Sequence, residues 1–188
     1  MKTALILHGK PSKEGYYDPN RQSQSNEHWI PWLQHQLLIR DILTQTPELP
    51  KPYEPVYKDW LKIFRQFEVN EESILVGHSA GGGFLIRWLS EKNTKIDKLV
   101  LVAPWLDPEK TVKDSFFDFE IDRNLKDKAN KIHLLVSTDD DSDVLESVKK
   151  IRNFIDGYEY HEFNGYGHFT YGDMGTKEFP ELLQLVLE

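Results

Sequence analysis

At 188 residues with 39% apolar content, the chain can bury one sizeable core, and residues 1–188 read as a single domain. A formal net charge of −8 argues against nucleic acid and anionic membrane surfaces as partners, since both require a basic face. The absence of cysteine excludes disulfides, thiolate metal ligands and a cysteine nucleophile.

The first strand candidate, residues 4–7, stops at His8-Gly9. That apolar run is too short for a signal-peptide core, and no run reaches membrane-spanning length, so a cytoplasmic protein is expected. Residues 9–26 are polar and contain Gly15, Tyr16, Tyr17, Asp18 and Pro19, which reads as an insertion over the sheet edge. A helix over 29–39 and a strand over 41–46 follow. Pro47, Pro50, Pro52 and Pro55 then make a stiff loop before a helix over 55–67. Strands over 73–76, 98–102, 132–136 and 158–163 alternate with helices over 82–90, 144–155 and 177–187. Strands separated by helices imply a parallel sheet covered on both faces. The unbroken apolar runs Leu99-Val100-Leu101-Val102 and Leu134-Leu135-Val136 fit that burial. The expected architecture is a three-layer α/β fold with about six mainly parallel strands in the order 2-1-3-4-5-6. Residues 103–130 make a short cap-like excursion carrying Trp105, Phe116, Phe117 and Phe119. Loops leaving the C-terminal strand ends bind ligands in such folds, so Trp105, Phe116 and Phe117 are candidate substrate-binding residues.

Gly77-His78-Ser79-Ala80-Gly81 reads G-x-S-x-G between a strand and a helix. This is the pattern of a nucleophile held on a strained turn, with small residues at its −2 and +2 positions. A serine hydroxyl needs a base to take its proton, and the base needs a third group to orient it. In this topology the acid and then the histidine follow on later loops. Asp139-Asp140-Asp141 follows the strand over 132–136, and Gly165-Tyr166-Gly167-His168-Phe169 follows the strand over 158–163. His168 is the best base, because its flanking glycines can bring an imidazole back over the strand ends. His161 falls inside a strand, His78 points away from the elbow, and His8 supports the loop below. His28, His35 and His133 read as ordinary helix or strand residues. Spacing leaves the acid open among Asp139, Asp140, Asp141 and Asp143. A calcium loop opening at Asp139 fails, because Val144 stands where glycine is needed and Lys150 where glutamate is needed. Ser142 or Asp143 should cap the next helix. The Ala80 N–H is one oxyanion donor. The Lys10 N–H, after the His8-Gly9 step, is the other, with Gly9 as alternative.

These features together resemble a small α/β-hydrolase. More narrowly, they are similar to the serine hydrolases typified by retinoblastoma-binding protein 9 and its bacterial relatives. The similarity rests on the start at His8-Gly9, on His28-Trp29 with Trp32, on the elbow, on Ser137-Thr138-Asp139-Asp140 and on Gly167-His168-Phe169. It implies that the second aspartate of the run, Asp140, is the triad acid. A proline follows that aspartate in the family, where Asp141 stands here. The expected activity is cleavage of a small, not strongly anionic carboxylic ester through an acyl-Ser79 intermediate. No metal or organic cofactor is called for. The competing expectations are a protein-binding module on the same scaffold, and a small amide or lactone hydrolase.

Overall fold

The computed structural model describes residues 2–188. Six strands form one parallel sheet: β1 (Thr3–Leu7), β2 (Leu43–Gln45), β3 (Ser73–His78), β4 (Ile96–Val102), β5 (Ala129–Ser137) and β6 (Glu159–Phe163). Their order is β2-β1-β3-β4-β5-β6, as the alternating pattern predicts. The order reverses between β1 and β3, whose register pairs Leu7 with Gly77. Ligands bind at such a switch point because the connections on either side leave a crevice there.

The helices are α1 (Lys13–Tyr17), α2 (Ile30–Leu38), α3 (Tyr57–Phe64), α4 (Ala80–Glu91), α5 (Ser142–Phe154), α6 (Tyr171–Met174) and α7 (Pro180–Leu187). Each longer helix buries one stripe. In α2 it is Ile30, Leu33 and Leu37, behind a proline in the first turn. In α3 it is Tyr57, Trp60 and Phe64. In α5 it is Val144, Val148 and Ile151. These spacings of three and four residues keep the apolar side chains on the face that meets the sheet. Helix α2 contacts α7. On α7's side, Lys98 of β4 is buried and its Nζ donates to the Val186 carbonyl in the last turn of that helix. A cation there meets the negative end of the helix dipole. No helix among the described residues is long and apolar enough to cross a membrane.

Three departures from expectation bear on the site. The helix after the elbow starts at Ala80, not residue 82. Three consecutive glycines disfavour helix on propensity alone. Here they allow α4 to lie against β1 and the β4 exit: a Cβ on Gly81 would come within 2.6 Å of the Leu7 and His8 carbonyl oxygens. The polar stretch after β1 contains α1, capped by the Ser12 hydroxyl. The N-cap of α5 is Asp141 rather than Ser142 or Asp143.

Candidate active site

Strand β3 ends at His78, and Ser79 turns the chain into α4 with φ 52° and ψ −122°. A non-glycine residue there is strained and persists only if its surroundings hold it. They do so at both backbone atoms. The Ser79 N–H donates to the Val102 carbonyl, and the Ser79 carbonyl accepts from Gly83 and Trp105. A Cβ on Gly77 would lie 2.6 Å from Gly82 Cα, so the small residue before the elbow is a steric requirement.

The Ala80 N–H lies in the first turn of α4, where no helical acceptor is available. The second candidate donor is set by His8. The Leu49 N–H donates to His8 Nε2 at 2.9 Å, so the proton is on Nδ1, which donates to the Gly9 carbonyl at 2.9 Å. Burial holds this imidazole below its ordinary pKa, against the pull of Glu48. With the Gly9 carbonyl pinned, the planar trans peptide turns the Lys10 N–H the opposite way. Gly9 sits against the elbow serine: a Cβ on it would be 2.8 Å from Ser79 Cβ. Neither the Lys10 nor the Ala80 N–H makes a hydrogen bond among the described residues.

Asp140 and His168 are brought together from the β5 and β6 exits. His168 Nδ1 lies 2.9 Å from Asp140 Oδ1 and 3.2 Å from Oδ2, so the carboxylate accepts from Nδ1–H. The Asp140 side chain is 0% exposed and that of His168 is 24% exposed. The neighbouring acids are used otherwise. Asp139 accepts from the Ser137 hydroxyl and from the Gly165 N–H, which ties the β5 loop to the His168 loop. Asp141 occupies the N-cap position of α5 without a side-chain capping bond, and its N–H donates to Asp140 at 2.7 Å. Ser79 and His168 line one cleft of about 640 Å³. The Ser79 hydroxyl has no hydrogen-bond partner among the described residues.

The serine hydrolase family pattern matches residues 16–188. The chain belongs to the serine hydrolase family. No curated protein matches it. Solved structures with the same architecture include the ydeN gene product from B. subtilis. It has 24% identity and a TM-score of 0.76, covering 100% of this chain and 97% of that one. A Paleococcus ferrophilus monoacylglycerol lipase has 17% identity and a TM-score of 0.64, with coverages of 98% and 92%. An α/β serine hydrolase homologue from Coxiella burnetii has 17% identity and a TM-score of 0.58, with coverages of 99% and 83%.

Within this serine hydrolase, several site residues lie where the sequence reading did not put them. His78 does not point away. Its Nε2–H donates to the His168 carbonyl at 2.8 Å, and the two rings lie 5.0 Å apart. Burial pushes its pKa well down, and the neighbouring His168 adds to that. His28 precedes α2 and lines the cleft; its Nδ1 accepts the Tyr171 N–H at 3.1 Å. Burial, with His168 next in weight, lowers it to about 4. Asp173 accepts from the His168 N–H and from the Thr170 hydroxyl, and it closes a capping box on α6. The only sequence sign of these roles is proximity: His78 precedes the nucleophile and Asp173 follows His168.

The expected aromatic wall is not there. Phe116 is fully buried, edge-on to Trp60 at 4.8 Å, and cannot face a substrate. Phe117 and Trp105 pack on each other outside the cleft, and Trp105 Nε1 donates to Asp143 at 2.7 Å. The Lys10 amine, 5.8 Å over the Trp105 ring, and the Trp105 backbone N–H on the Ser79 carbonyl link that aromatic pair to the cleft. The wall comes instead from residues between 10 and 28 and between 168 and 177. It carries the cations Lys10, Arg21 and Lys177 against one carboxylate, Glu27. Asp139, Asp141 and Asp143 do not line it.

Proposed function

We propose that the chain hydrolyses small carboxylic esters through an acyl-Ser79 intermediate, with His168 as base and acid and Asp140 as orienting group. The observation that carries this is the strained Ser79 sharing a cleft with an imidazole whose far nitrogen is held by a buried carboxylate. Ser79 Oγ attacks the ester carbonyl carbon while its proton passes to His168 Nε2. The oxyanion accepts from the Ala80 and Lys10 N–H groups. As the tetrahedral species collapses, the C–O bond to the leaving group breaks and the alkoxide takes the proton from Nε2. Water then attacks the acyl carbon and gives a proton to Nε2. The second collapse returns that proton to Ser79 Oγ and releases the carboxylic acid. Asp140 keeps the tautomer right and stabilises the imidazolium formed in each half.

The experiment is labelling with a fluorophosphonate together with hydrolysis of 4-nitrophenyl acetate. Wild type should be labelled on Ser79 and should turn over the ester, and Ser79→Ala should do neither. Labelling at another residue, or its persistence in Ser79→Ala, defeats the assignment. A protein-binding module on this scaffold would show no labelling at all.

A further inference from the structure

The second group of histidines lies away from the cleft, in the middle of the β5–β6 pair. His133 of β5 is paired in register with Glu159 of β6, and Leu135 with His161. Partners in a parallel pair, and residues two apart on a strand, share a face. His133, Glu159 and His161 therefore project together, on the face that Lys98 shares with α7.

Their donor atoms converge. His133 Nδ1 is 3.1 Å from His161 Nε2 and 3.7 Å from Glu159 Oε2, and all three ligand atoms lie within 4.8 Å of one another. Imidazole nitrogens bound to zinc at about 2.0–2.1 Å in a tetrahedron stand about 3.3–3.4 Å apart. The observed spacings bracket that edge, so a cation could be held with small side-chain adjustments. The neighbouring charges are Glu188, which favours a cation, and Lys131, which opposes one.

His133 reaches its partners through one nitrogen only, Nδ1, which lies within hydrogen-bond distance of His161 Nε2. The His133 side chain is 0% exposed, and its Nε2 is buried with no hydrogen-bond partner. Nδ1 is therefore the ring's only polar outlet. An aliphatic residue would fill a buried strand position without leaving an unsatisfied nitrogen. Two potential ligands from the adjacent edge strand meet that one outlet. We propose that His133, Glu159 and His161 form a three-ligand site for a borderline divalent cation, zinc above all, which clips edge strand β6 to β5. Two imidazoles and a carboxylate suit zinc, cobalt or nickel better than magnesium or calcium, which prefer all-oxygen shells. The side chains of Glu159 and His161 are accessible, which leaves the fourth position to water. The clip would bear on the active site through the chain: β6 ends at Phe163, and His168 follows five residues later.

The test is calorimetric titration of the untagged full chain with zinc chloride, with cobalt absorption and thermal unfolding as second readouts. Wild type should bind one zinc per chain saturably and show a tetrahedral cobalt spectrum. Its Tm should rise with zinc, because a ligand that binds only the folded chain stabilises it. His161→Ala and Glu159→Gln, both at the sheet edge, should fold, bind at least tenfold more weakly and lose the Tm response. His168→Ala should bind as wild type does. The absence of saturable binding below 1 mM zinc overturns the proposal. So does binding kept in His161→Ala and lost in His168→Ala, which would place the ion among the cleft histidines. Fluorophosphonate labelling of Ser79 reads out the ester-hydrolase assignment separately, so either can fail alone.

Discussion

Asp140 is the one acid of its run whose carboxylate touches His168, so the three neighbouring aspartates should separate cleanly on substitution. Asp140→Asn is expected to lower turnover of an activated ester by about four orders of magnitude, as removal of an orienting carboxylate does. Asp141→Asn, at a helix cap, should leave turnover within a few-fold of wild type. Asp139→Asn should fall between, because it loosens the link to Gly165. Steady-state kinetics on one ester decide the ranking, and a mild Asp140→Asn would refute it. The histidines around the cleft lead to a second residue-scale expectation. His28 titrates at about 4 when folded and about 6.5 when unfolded, so the unfolded chain binds its proton first as pH falls. The contribution is fully present above about pH 6.5 and is lost as pH drops towards 4. His8 and His78, also lowered by burial, act in the same direction. Tm measured from pH 7.5 to 4 should fall, and His28→Asn should flatten part of that fall. An identical profile in the variant would show that the fold does not hold His28 neutral.

Among the elements, the contact between β1 and α4 sets the distance between the two candidate oxyanion donors. It depends on Gly81, whose added methyl would meet two backbone carbonyls that cannot rotate aside. Gly81→Ala is expected to destabilise the fold by about 1–3 kcal/mol in urea denaturation, the usual cost of overpacking. It should also lower kcat more than it raises KM, because the displaced α4 carries the Ala80 N–H. Sequence and structure agree best at this scale. The elbow, the strand order and the two later loops were legible because each follows from hydrophobic period and turn chemistry. The start of α4 was misplaced because helix propensity penalises Gly81-Gly82-Gly83, while close packing against β1, β3 and the β4 exit demands them. The orientation of His78 was not legible, since nothing local tells which loop will lie above a strand end. Phe116 was misread for a related reason. An aromatic in an excursion can face solvent, substrate or core, and here the core formed by Trp60 and Phe84 takes it. Phe116→Ala should therefore behave as a core truncation.

At the scale of the whole molecule, net charge misleads about the site. The chain carries −8, yet Lys10, Arg21 and Lys177 line the cleft against Glu27 alone. Global charge sets solubility and long-range encounter, whereas a substrate within a few ångströms senses the lining. An ester with a carboxylate on its acyl chain is therefore expected to show a higher kcat/KM at low salt than a neutral ester of equal length. The advantage should shrink as salt rises, since the screening length falls from about 10 Å at 0.1 M to about 3 Å at 1 M. The same series should favour short acyl chains over palmitate, because the excursion between β4 and β5 does not roof the cleft. A preference for the neutral ester at low salt would show that the chain's overall field prevails.

The backbone angles at Ser79 set catalysis and folding at odds. A φ of 52° with ψ −122° suits glycine, and any side chain there costs about 1–3 kcal/mol of fold stability. Ser79→Gly should therefore unfold at a higher temperature than the native chain while losing all nucleophilic chemistry. Random drift in a protein that kept only its shape would run down that slope. A serine standing where glycine is more comfortable is the cost that the proposed acyl-Ser79 chemistry would lay on the fold, written in the backbone angles rather than in any contact.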